Sequence, residues 1–553
     1  MKQILKDIFK ILTPREARTI WRLAVADVFI SVLDIVFLIG LLYVINFYTR
    51  SGTTSKYSPF TFLNEHPILP ITVFLFLFAI KNAIGFLISK RQFNFVYGIA
   101  SRISRDNLLQ YLNGPFSDYI HIDSSVMSRK ISQQPIEFCH YVLNGIQQIF
   151  TQVVLILFTL LAIVIFNPLL LPLLILILAP PVLLISFFMR RRLYGGRIHG
   201  KKMSEKSIQH LQEALTGYVE SNVYMKNDFF TNRYQRFQTQ LNHYLSERLT
   251  IQNMPSRFIE VFAVFGLFVL ILFNFISYHN HSIQFITLGA LMVAAYKIIP
   301  GIVKITNTAG QVKTYAYSTK GLIREEELPV KPSGITNPIS SVAFENISFS
   351  YGEKKILKDF SLTMRKGDMV GILGLSGKGK TTLVNLMLGF LSPDRGNIFF
   401  NGLLADANNR MGYWPRISYI KQQHFFLHAS LVENIILDED NYDSEKLKKT
   451  LNLTGIDKMM QSFPEGIDTV ITENGKNFSG GQRQRIILAR ALFRDFDLLI
   501  LDEPFNELDE SAEIELLEQL RVIADEGKIV LLITHNVAAF SFCNRKMQLD
   551  ELE

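Results

Sequence analysis

The chain has 553 residues, of which 48% are hydrophobic, and a formal net charge of +8. Its length exceeds that of one domain and allows three or four. The apolar residues concentrate before about residue 310, so we read the positive charge as following membrane topology and exclude a nucleic-acid-binding protein. The two cysteines, Cys139 and Cys543, match no metal or redox spacing, and we expect no disulfide between them.

The N-terminal segment has the pattern of a short amphipathic helix. Its apolar residues share one helical face, with Lys2, Lys6 and Lys10 elsewhere: Ile4, Leu5, Ile8, Phe9 and Leu12. This pattern predicts a helix lying along the membrane surface, and an ordinary frayed helix is the alternative. Thr13, Pro14 and Glu16 then have the form of a capping box with Pro at the first helical position, which begins the next helix.

Six apolar runs follow, each near the roughly 20 residues that a helix needs to cross a bilayer. They cover approximately 21–47, 67–89, 141–166, 168–189, 257–278 and 283–305. The third and fourth runs are separated only by Asn167 and Pro168, which predict a tight external turn.

The polar stretches at about 90–140 and 190–256 are rich in Lys and Arg, whereas 48–66 offers only Arg50 and Lys56. This asymmetry places the two long stretches and both termini in the cytoplasm. Their helical periodicity predicts helices that continue out of the membrane. The basic residues include Lys90, Arg91, Arg102, Arg105, Arg129, Lys130, Arg190, Arg191, Arg192, Arg197, Lys201, Lys202 and Lys206.

A phosphate-binding loop follows the short apolar strand predicted at Met369–Leu373. The pattern G-x-x-x-x-G-K-[ST] opens an apolar helix, and its glycines let backbone N–H groups surround phosphate oxygens at the helix N-terminus. Lys380 would reach the β and γ phosphates, and Thr381 would hold Mg²⁺. The loop residues are Gly374, Leu375, Ser376, Gly377, Lys378, Gly379, Lys380, Thr381 and Thr382.

Two carboxylates end the apolar strand predicted at 498–503. Asp502 suits the Mg²⁺ site, and Glu503 suits polarisation of the attacking water. Acids at a strand end are usually only solvated. After a phosphate-binding loop, we favour the functional interpretation for this pair.

Phe478, Ser479, Gly480, Gly481 and Gln482 resemble the signature motif of ATP-binding cassette proteins, usually written LSGGQ, with Phe in place of Leu. The remaining motifs of that family occur in its order. Tyr351 is at the position that stacks on adenine, and Gln422 is at the position of the Q-loop glutamine, which senses Mg²⁺. Asp509 is at the D-loop position, and His535 is at the switch-histidine position after the strand predicted at 529–534.

The resemblance implies a multidomain half-transporter of the exporter type. An all-α transmembrane domain of six helices with long cytoplasmic extensions precedes an α/β P-loop nucleotide-binding domain. The predicted boundaries are an interfacial helix at 1–20, the transmembrane domain at 21–325, a linker at 326–341 and the nucleotide-binding domain at 342–553.

The family works with ATP and Mg²⁺, and its members pair so that Ser479 to Gln482 of one copy complete the partner's site. We therefore expect a homodimer in a bacterial inner membrane, with a heterodimer as the alternative. Metal contacts would come from Thr381, Gln422 and Asp502, and catalysis from Glu503 and His535.

Two features bear on coupling between the halves. The residues Pro504 to Asp509 read PFNELD, where exporters usually have ATSALD, so D-loop communication between the two sites is less defined. The family docks short helical tips onto the cassettes, and the candidates here are Gly114–Ser124 and Leu211–Ser221. Gly114-Pro115 and Asp123-Ser124 are turn signals that fit such a tip.

Ionisable residues inside the predicted spans mark a candidate substrate site. Lys81, Arg257 and Lys297 would form a cationic wall for an anionic headgroup. The alternative is mutual neutralisation, in which Asp34 pairs with Lys81 and Glu260 with Arg257. Segments around Arg257 and Lys297 resemble those of bacterial lipid-linked oligosaccharide flippases, which implies an amphipathic anionic substrate. Export of peptides, bacteriocins or drugs is the rival hypothesis.

Overall fold

The computed structural model describes residues 2–49, 68–166, 197–276, 285–320, 337–374, 378–438, 442–472 and 475–549, with isolated positions at 168, 172, 180 and 322. The chain divides into two compact units. The first comprises Met1–Leu112 and Ile120–Leu328, and the second comprises Asn113–Tyr119 and Pro329–Glu553.

The first unit is built from helices. Two described helices, Leu69–Leu112 and Ser124–Ile165, are long and apolar enough to cross a membrane. Two π-helical segments, Arg129–Gln133 and Phe138–Leu143, interrupt the second of these helices. The α-helices of the unit are Lys2–Ile11, Pro14–Thr49, Leu69–Leu112, Ser124–Ser128, Gln134–Glu137, Asn144–Phe166, Arg197–Thr216, Tyr218–Val223, Asn227–Ile276, Phe285–Tyr315 and Tyr317–Lys320.

The helices match five of the six predicted spans, and the fourth, at 168–189, lies outside the described residues. The predicted cytoplasmic extensions are confirmed as helical, because Leu69–Leu112 and Asn227–Ile276 each run far beyond their apolar portion. The capping box is also confirmed. Thr13 N donates to Glu16 Oε2 at 2.9 Å, and Glu16 N donates to Thr13 Oγ1 at 3.3 Å.

Part of the apolar face predicted for the first helix is buried in the protein, and part of it is exposed. Ile8, Leu12 and the unpredicted Ile11 are buried in the core of the first unit, whereas Phe9 is 68% exposed. That core also takes side chains from the helices Leu69–Leu112 and Phe285–Tyr315 and from the π-helical turn Phe138–Leu143. Tertiary packing thus uses part of the face that was predicted to lie on a membrane.

The second unit contains two larger sheets. Strands β1 (Ser341–Tyr351), β2 (Lys354–Arg365), β4 (Arg395–Phe400) and β5 (Leu403–Leu404) form an antiparallel sheet in the order β2-β1-β4-β5. The other sheet is parallel, in the order β11-β3-β10-β9-β6. Its strands are β3 (Met369–Leu373), β6 (Ile417–Ile420), β9 (Leu498–Asp502), β10 (Ile529–Thr534) and β11 (Arg545–Gln548).

The parallel sheet is buried on both faces. In β10, Ile529, Leu531 and Ile533 join one apolar cluster, whereas Val530 and Leu532 join the other. Successive strand residues point to opposite faces, so a strand covered on both sides is apolar throughout. The predicted bounds of the strands β3 and β10 are confirmed to the residue, and β9 ends one residue before the predicted Glu503.

Further helices and a small two-stranded sheet complete the second unit. The two short strands are β7 (Ala429–Ser430) and β8 (Val470–Ile471). The helices are Lys380–Met387, Ala407–Gly412, Leu431–Ile436, Ser444–Leu453, Ile456–Met460, Gly480–Phe493, Glu510–Asp525 and Val537–Ser541, with 3₁₀ turns at Trp414–Arg416 and Gly466–Asp468.

The segment predicted as the first docking tip contributes to the second unit. A helix begins at Phe116, directly after the Gly114-Pro115 turn signal. Within the unit, the Phe116 ring stacks on Phe390 with 4.7 Å between ring centroids. The second predicted tip overlaps the helix Tyr218–Val223, where Tyr218 and Val219 are exposed, and its docking stays a prediction.

Candidate functional site

The parallel sheet gathers four loops at one edge. Strand β10 pairs Thr534 with Leu373 of β3 and Ile533 with Asp502 of β9, while β6 pairs Ile420 with Leu501. The loops that follow these strands therefore leave the sheet side by side. In open α/β sheets, ligands bind outside the carboxyl ends of the strands.

The phosphate-binding loop ends in a backbone turn that requires glycine. Gly379 has φ +92°, and a Cβ built on it would lie 2.8 Å from Cγ2 of Ile356. The helix Lys380–Met387 begins directly after it, so the positive end of a helix lies at the loop. Leu375, Ser376 and Gly377 lie outside the described residues.

Lys380 and Glu503 form a buried ion pair at the centre of the edge. Lys380 Nζ donates to Glu503 Oε1 at 3.0 Å and to the Gly374 carbonyl at 2.8 Å. Both charged side chains are only 7% exposed. Removal of either partner would leave an uncompensated charge in a poorly solvated place, which is costly.

The second carboxylate oxygen of Glu503 accepts two hydrogen bonds, one from the loop after β6 and one from its own loop after β9. Gln422 Nε2 donates to Oε2 at 2.8 Å, and Asn506 Nδ2 donates to the same oxygen at 3.1 Å. His535 Nδ1 lies 3.8 Å from Oε1. The structure therefore brings Lys380, Gln422 and His535 together around one carboxylate.

Glu503 is distinguished by its backbone conformation and by the pKa of its carboxyl group. Its φ of +52° is in the left-handed region, although it is not a glycine, and its N–H donates to the Ile533 carbonyl at 2.9 Å. Such backbone strain persists where the surroundings impose it and often marks functional sites. Burial raises the pKa of this carboxyl, but hydrogen bonds from Lys380 and Asn506 outweigh it and lower the pKa overall, which keeps the group ionised at neutral pH.

Asp502 has the features of a metal-binding group. Burial, with the neighbouring Glu503 charge, raises the pKa of Asp502 to about 6. Its Oδ2 is buried without a hydrogen-bond partner, whereas the carboxyl group as a whole has a hydrogen bond with the Thr381 side chain. An oxygen pair of this kind fits Mg²⁺, which takes oxygen ligands and waters.

The signature residues form the N-terminus of a long helix. Ser479 caps the helix Gly480–Phe493, with its Oγ accepting from Gln482 N and Gln482 Oε1 accepting from Ser479 N at 2.8 Å. This capping box was not foreseen as such from the sequence. Ser479 is exposed, and Gly480 and Gly481 are partly exposed, so their backbone N–H groups can face a ligand.

The remaining predicted nucleotide-site residues lie around this edge or at the antiparallel sheet. Tyr351 ends β1, is 46% exposed and packs edge-on against Phe349. Lys378 and Thr381 are exposed, whereas Thr382 is buried. The β2 residue Ile356 touches the turn at Gly379, which brings the antiparallel sheet to the phosphate-binding loop.

The candidate substrate residues belong to the first unit and have different surroundings. Lys81 is 6% exposed, forms an ion pair with Asp34 and lies 4.9 Å from the Phe78 ring centroid. The pairing proposed in the neutralisation alternative is therefore present for Lys81. Arg257 is exposed within the helix Asn227–Ile276. The side chains of Glu260 and Lys297 are outside the described part of the chain.

Sequence reasoning missed the contribution of Asn506 and Glu507. Both belong to the segment that departs from the usual exporter motif, and that departure was the available signal. Asn506 donates a hydrogen bond to the Glu503 carboxylate, while Glu507 N donates to Gln484 Oε1 at 2.8 Å. The contacts depend on where the chain turns after β9, which no local pattern specifies.

Comparison with known proteins agrees with this geometry. The family model described as ABC transporter matches residues 357–506. A probable ABC transporter ATP-binding/permease protein of Haemophilus influenzae is 29% identical over 61% of this chain and 61% of its own length. An ATP-dependent lipid A-core flippase of Alkalilimnicola ehrlichii is 26% identical over 62% of this chain and 59% of its own length.

The matched part of this chain spans about three-fifths of the length of these curated relatives. A solved structure of a bacterial Atm1-family ABC exporter with ATP bound superposes with a TM-score of 0.76. That comparison covers 96% of this chain and 94% of the other, at 15% sequence identity. The similarity extends over both units of the chain and establishes a common fold.

We expect Gly379→Ala to weaken binding of MgATP by at least about tenfold, because the added methyl group must displace Ile356 beside the phosphate-binding turn. Titration of the purified full-length protein with a fluorescent ATP analogue measures this. Gly402→Ala is the matched control, since Gly402 also has a positive φ, of +76°, but a Cβ there meets nothing within 4 Å. Equal affinities of the two variants would contradict the prediction.

Proposed function

We propose that this chain, which belongs to the ABC transporter superfamily and has its exporter-type fold, hydrolyses ATP to move an amphipathic substrate across a membrane. The observation that carries the proposal is the convergence on Glu503. Lys380 from the phosphate-binding loop, Gln422 after β6 and His535 after β10 all lie within 4 Å of its carboxylate.

The contacts support a separate role in ATP hydrolysis for each of these side chains. Glu503 accepts a proton from the attacking water, Lys380 holds the β and γ phosphates, and His535 orients the group being transferred. Mg²⁺, held by Thr381, Gln422 and Asp502, would neutralise phosphate charge. Tyr351, exposed at the end of β1, offers its ring to the adenine.

We propose a dimer as the working unit, in which each copy lends its signature loop to the other. The positive end of the helix Gly480–Phe493, with exposed Ser479, supports phosphate binding from outside the chain's own site. Ser479, Gly480, Gly481 and Gln482 would then contact the partner's ATP. Closure of the two cassettes would switch the membrane helices between two rigid-body states.

The proposed cargo is an anionic amphipathic lipid, such as a lipid-linked oligosaccharide, in a bacterial inner membrane with the cassettes cytoplasmic. Relatives named as lipid A-core flippases support a lipid, and Lys81, Arg257 and Lys297 offer positive charge in the spans. Of these, Lys81 already has Asp34 as a partner. Arg257 and Lys297 stay candidates for a headgroup contact beside it. Peptide or drug export is the rival proposal.

We expect Glu503→Gln to lower ATP turnover by about 10²–10⁴-fold, because the amide cannot accept the proton of the attacking water. ATP binding should persist, since the shape of the side chain is kept. Turnover and nucleotide affinity are measured on the same reconstituted protein. Glu518→Gln, on an exposed position of the helix Glu510–Asp525, serves as control, and wild-type turnover in Glu503→Gln would contradict the assignment.

Composite sites predict complementation between two inactive variants. Lys380→Ala damages a chain's own phosphate-binding loop, and Ser479→Phe damages the loop it lends. Each variant alone should hydrolyse almost no ATP, whereas co-expressed mixed dimers contain one intact site and regain turnover. Affinity tags that differ between the chains isolate the mixed dimers. Inactive mixed dimers would refute sites shared between copies.

Substrate specificity is tested by stimulation of ATP turnover in liposomes containing a polyprenyl-pyrophosphate glycan, lipid A-core or peptide. We expect a phosphate-bearing lipid to stimulate, and Arg257→Gln with Lys297→Gln to abolish stimulation by removing the headgroup contacts. The double variant Lys81→Gln/Asp34→Asn removes a charge pair without changing net charge. Retained stimulation there assigns Lys81 to structure, and stimulation by peptide alone would refute a lipid cargo.

A further inference from the structure

The oxygen Oε2 of Glu503 depends on hydrogen bonds for its position. Asn506 and Gln422 both donate to it, from different loops. A cavity of about 340 Å³ lies beside this carboxylate, and its lining includes Gln422, Glu503, Asn506 and Glu507. Because open space replaces close packing on that side, van der Waals contact alone does not hold the group.

The position of Asn506 is fixed by contacts that the next residue, Glu507, makes. Glu507 N donates to Gln484 Oε1 at 2.8 Å, and its Oε2 lies 3.4 Å from Nη2 of Arg483. Gln484 is 1% exposed within the helix Gly480–Phe493. The segment after β9 is thus anchored to a rigid helix by a buried amide and an ion pair.

The same anchor lies directly against the signature turn. A Cβ added to Gly480 would be 2.5 Å from Glu507 Oε2, and one added to Gly481 would be 3.1 Å from the Glu507 carbonyl. The side chain of Glu507 therefore lies against Gly480, and its backbone carbonyl lies against Gly481. A displacement of the signature turn towards Glu507 would press on this residue.

From these contacts we infer that Asn506 is a positioning residue for Glu503 and that Glu507 anchors it to the signature helix. The inference rests on the proposed function and deepens it. The two residues form a strap between the carboxylate that serves the chain's own ATP and the loop that serves the partner's ATP.

The strap is tested by ATP turnover of the full-length protein in liposomes. Asn506→Ala should lower kcat by about tenfold and leave the KM for ATP unchanged, because Asn506 acts through Glu503. Asn506→Asp keeps the shape but cannot donate and adds a like charge, so its kcat should be no higher than that of Asn506→Ala. A residue needed only for packing would instead be rescued by this isosteric change.

Double variants test whether Asn506 and Glu507 act on kcat through Glu503. In Glu503→Gln, addition of Asn506→Ala should cause no further loss, because the group it positions is already inactive. Glu507→Ala should lower kcat in the wild type but add nothing to Asn506→Ala. The control is Asn452→Ala, an exposed position on the helix Ser444–Leu453, which should retain wild-type kcat.

The outcomes separate the inference from the proposed function. Unchanged kcat in Asn506→Ala, rescue by Asn506→Asp or fully additive losses would overturn the strap while Glu503→Gln still confirms the proposed base. Wild-type turnover in Glu503→Gln would overturn the proposed function and the strap together.

Discussion

Side chains from three connections of the chain donate hydrogen bonds to the two oxygens of one carboxylate, and this constraint organises the nucleotide-binding unit. Glu503 lies within hydrogen-bond distance of Lys380, Gln422 and Asn506, which come from three separate connections of the chain. Lys380 and Glu503 are buried, whereas Gln422 and Asn506 are exposed, so the carboxylate is paired with a charge on its buried side and with two amides on its open side. Any group that takes Lys380 as a partner, such as a phosphate, necessarily changes the balance around Glu503.

The neighbouring carboxylates have different environments, and their proposed roles follow from that difference. Glu503 receives several donors, so its pKa is lowered despite burial. Asp502 is buried with one oxygen unpartnered, so burial and the adjacent negative charge raise its pKa to about 6. A cation at Asp502 would compensate that desolvation. Two acids adjacent in sequence are thus suited to a proton acceptor and a metal ligand.

Charges in the helical unit are likewise matched by partners that distant segments supply. Lys81 pairs with Asp34 across 47 residues of sequence. Arg129, 5% exposed, lies 3.3 Å from Glu137 and 3.6 Å from Glu205, and Tyr317 accepts a hydrogen bond from it at 2.7 Å. Buried charges of this kind are tolerated when paired. Such pairs tie together helices that are far apart in the chain, which gives the unit defined internal contacts.

The sequence by itself determined the parts whose physics is local. The strands β3 and β10 were predicted to the residue, and β9 to within one residue, because they are apolar runs ended by Gly, acids or His. The capping box at Thr13 and Glu16 needs only a four-residue spacing. The phosphate-binding loop and the signature motif were recognisable for the same reason. Only the tertiary structure decided that Ile8 and Leu12 pack inward, that Lys81 meets Asp34, and that Asn506 and Glu507 join the Glu503 carboxylate to the helix Gly480–Phe493. Those contacts depend on strand register and on the path of a turn, and therefore on free energies of packing that no short sequence pattern encodes.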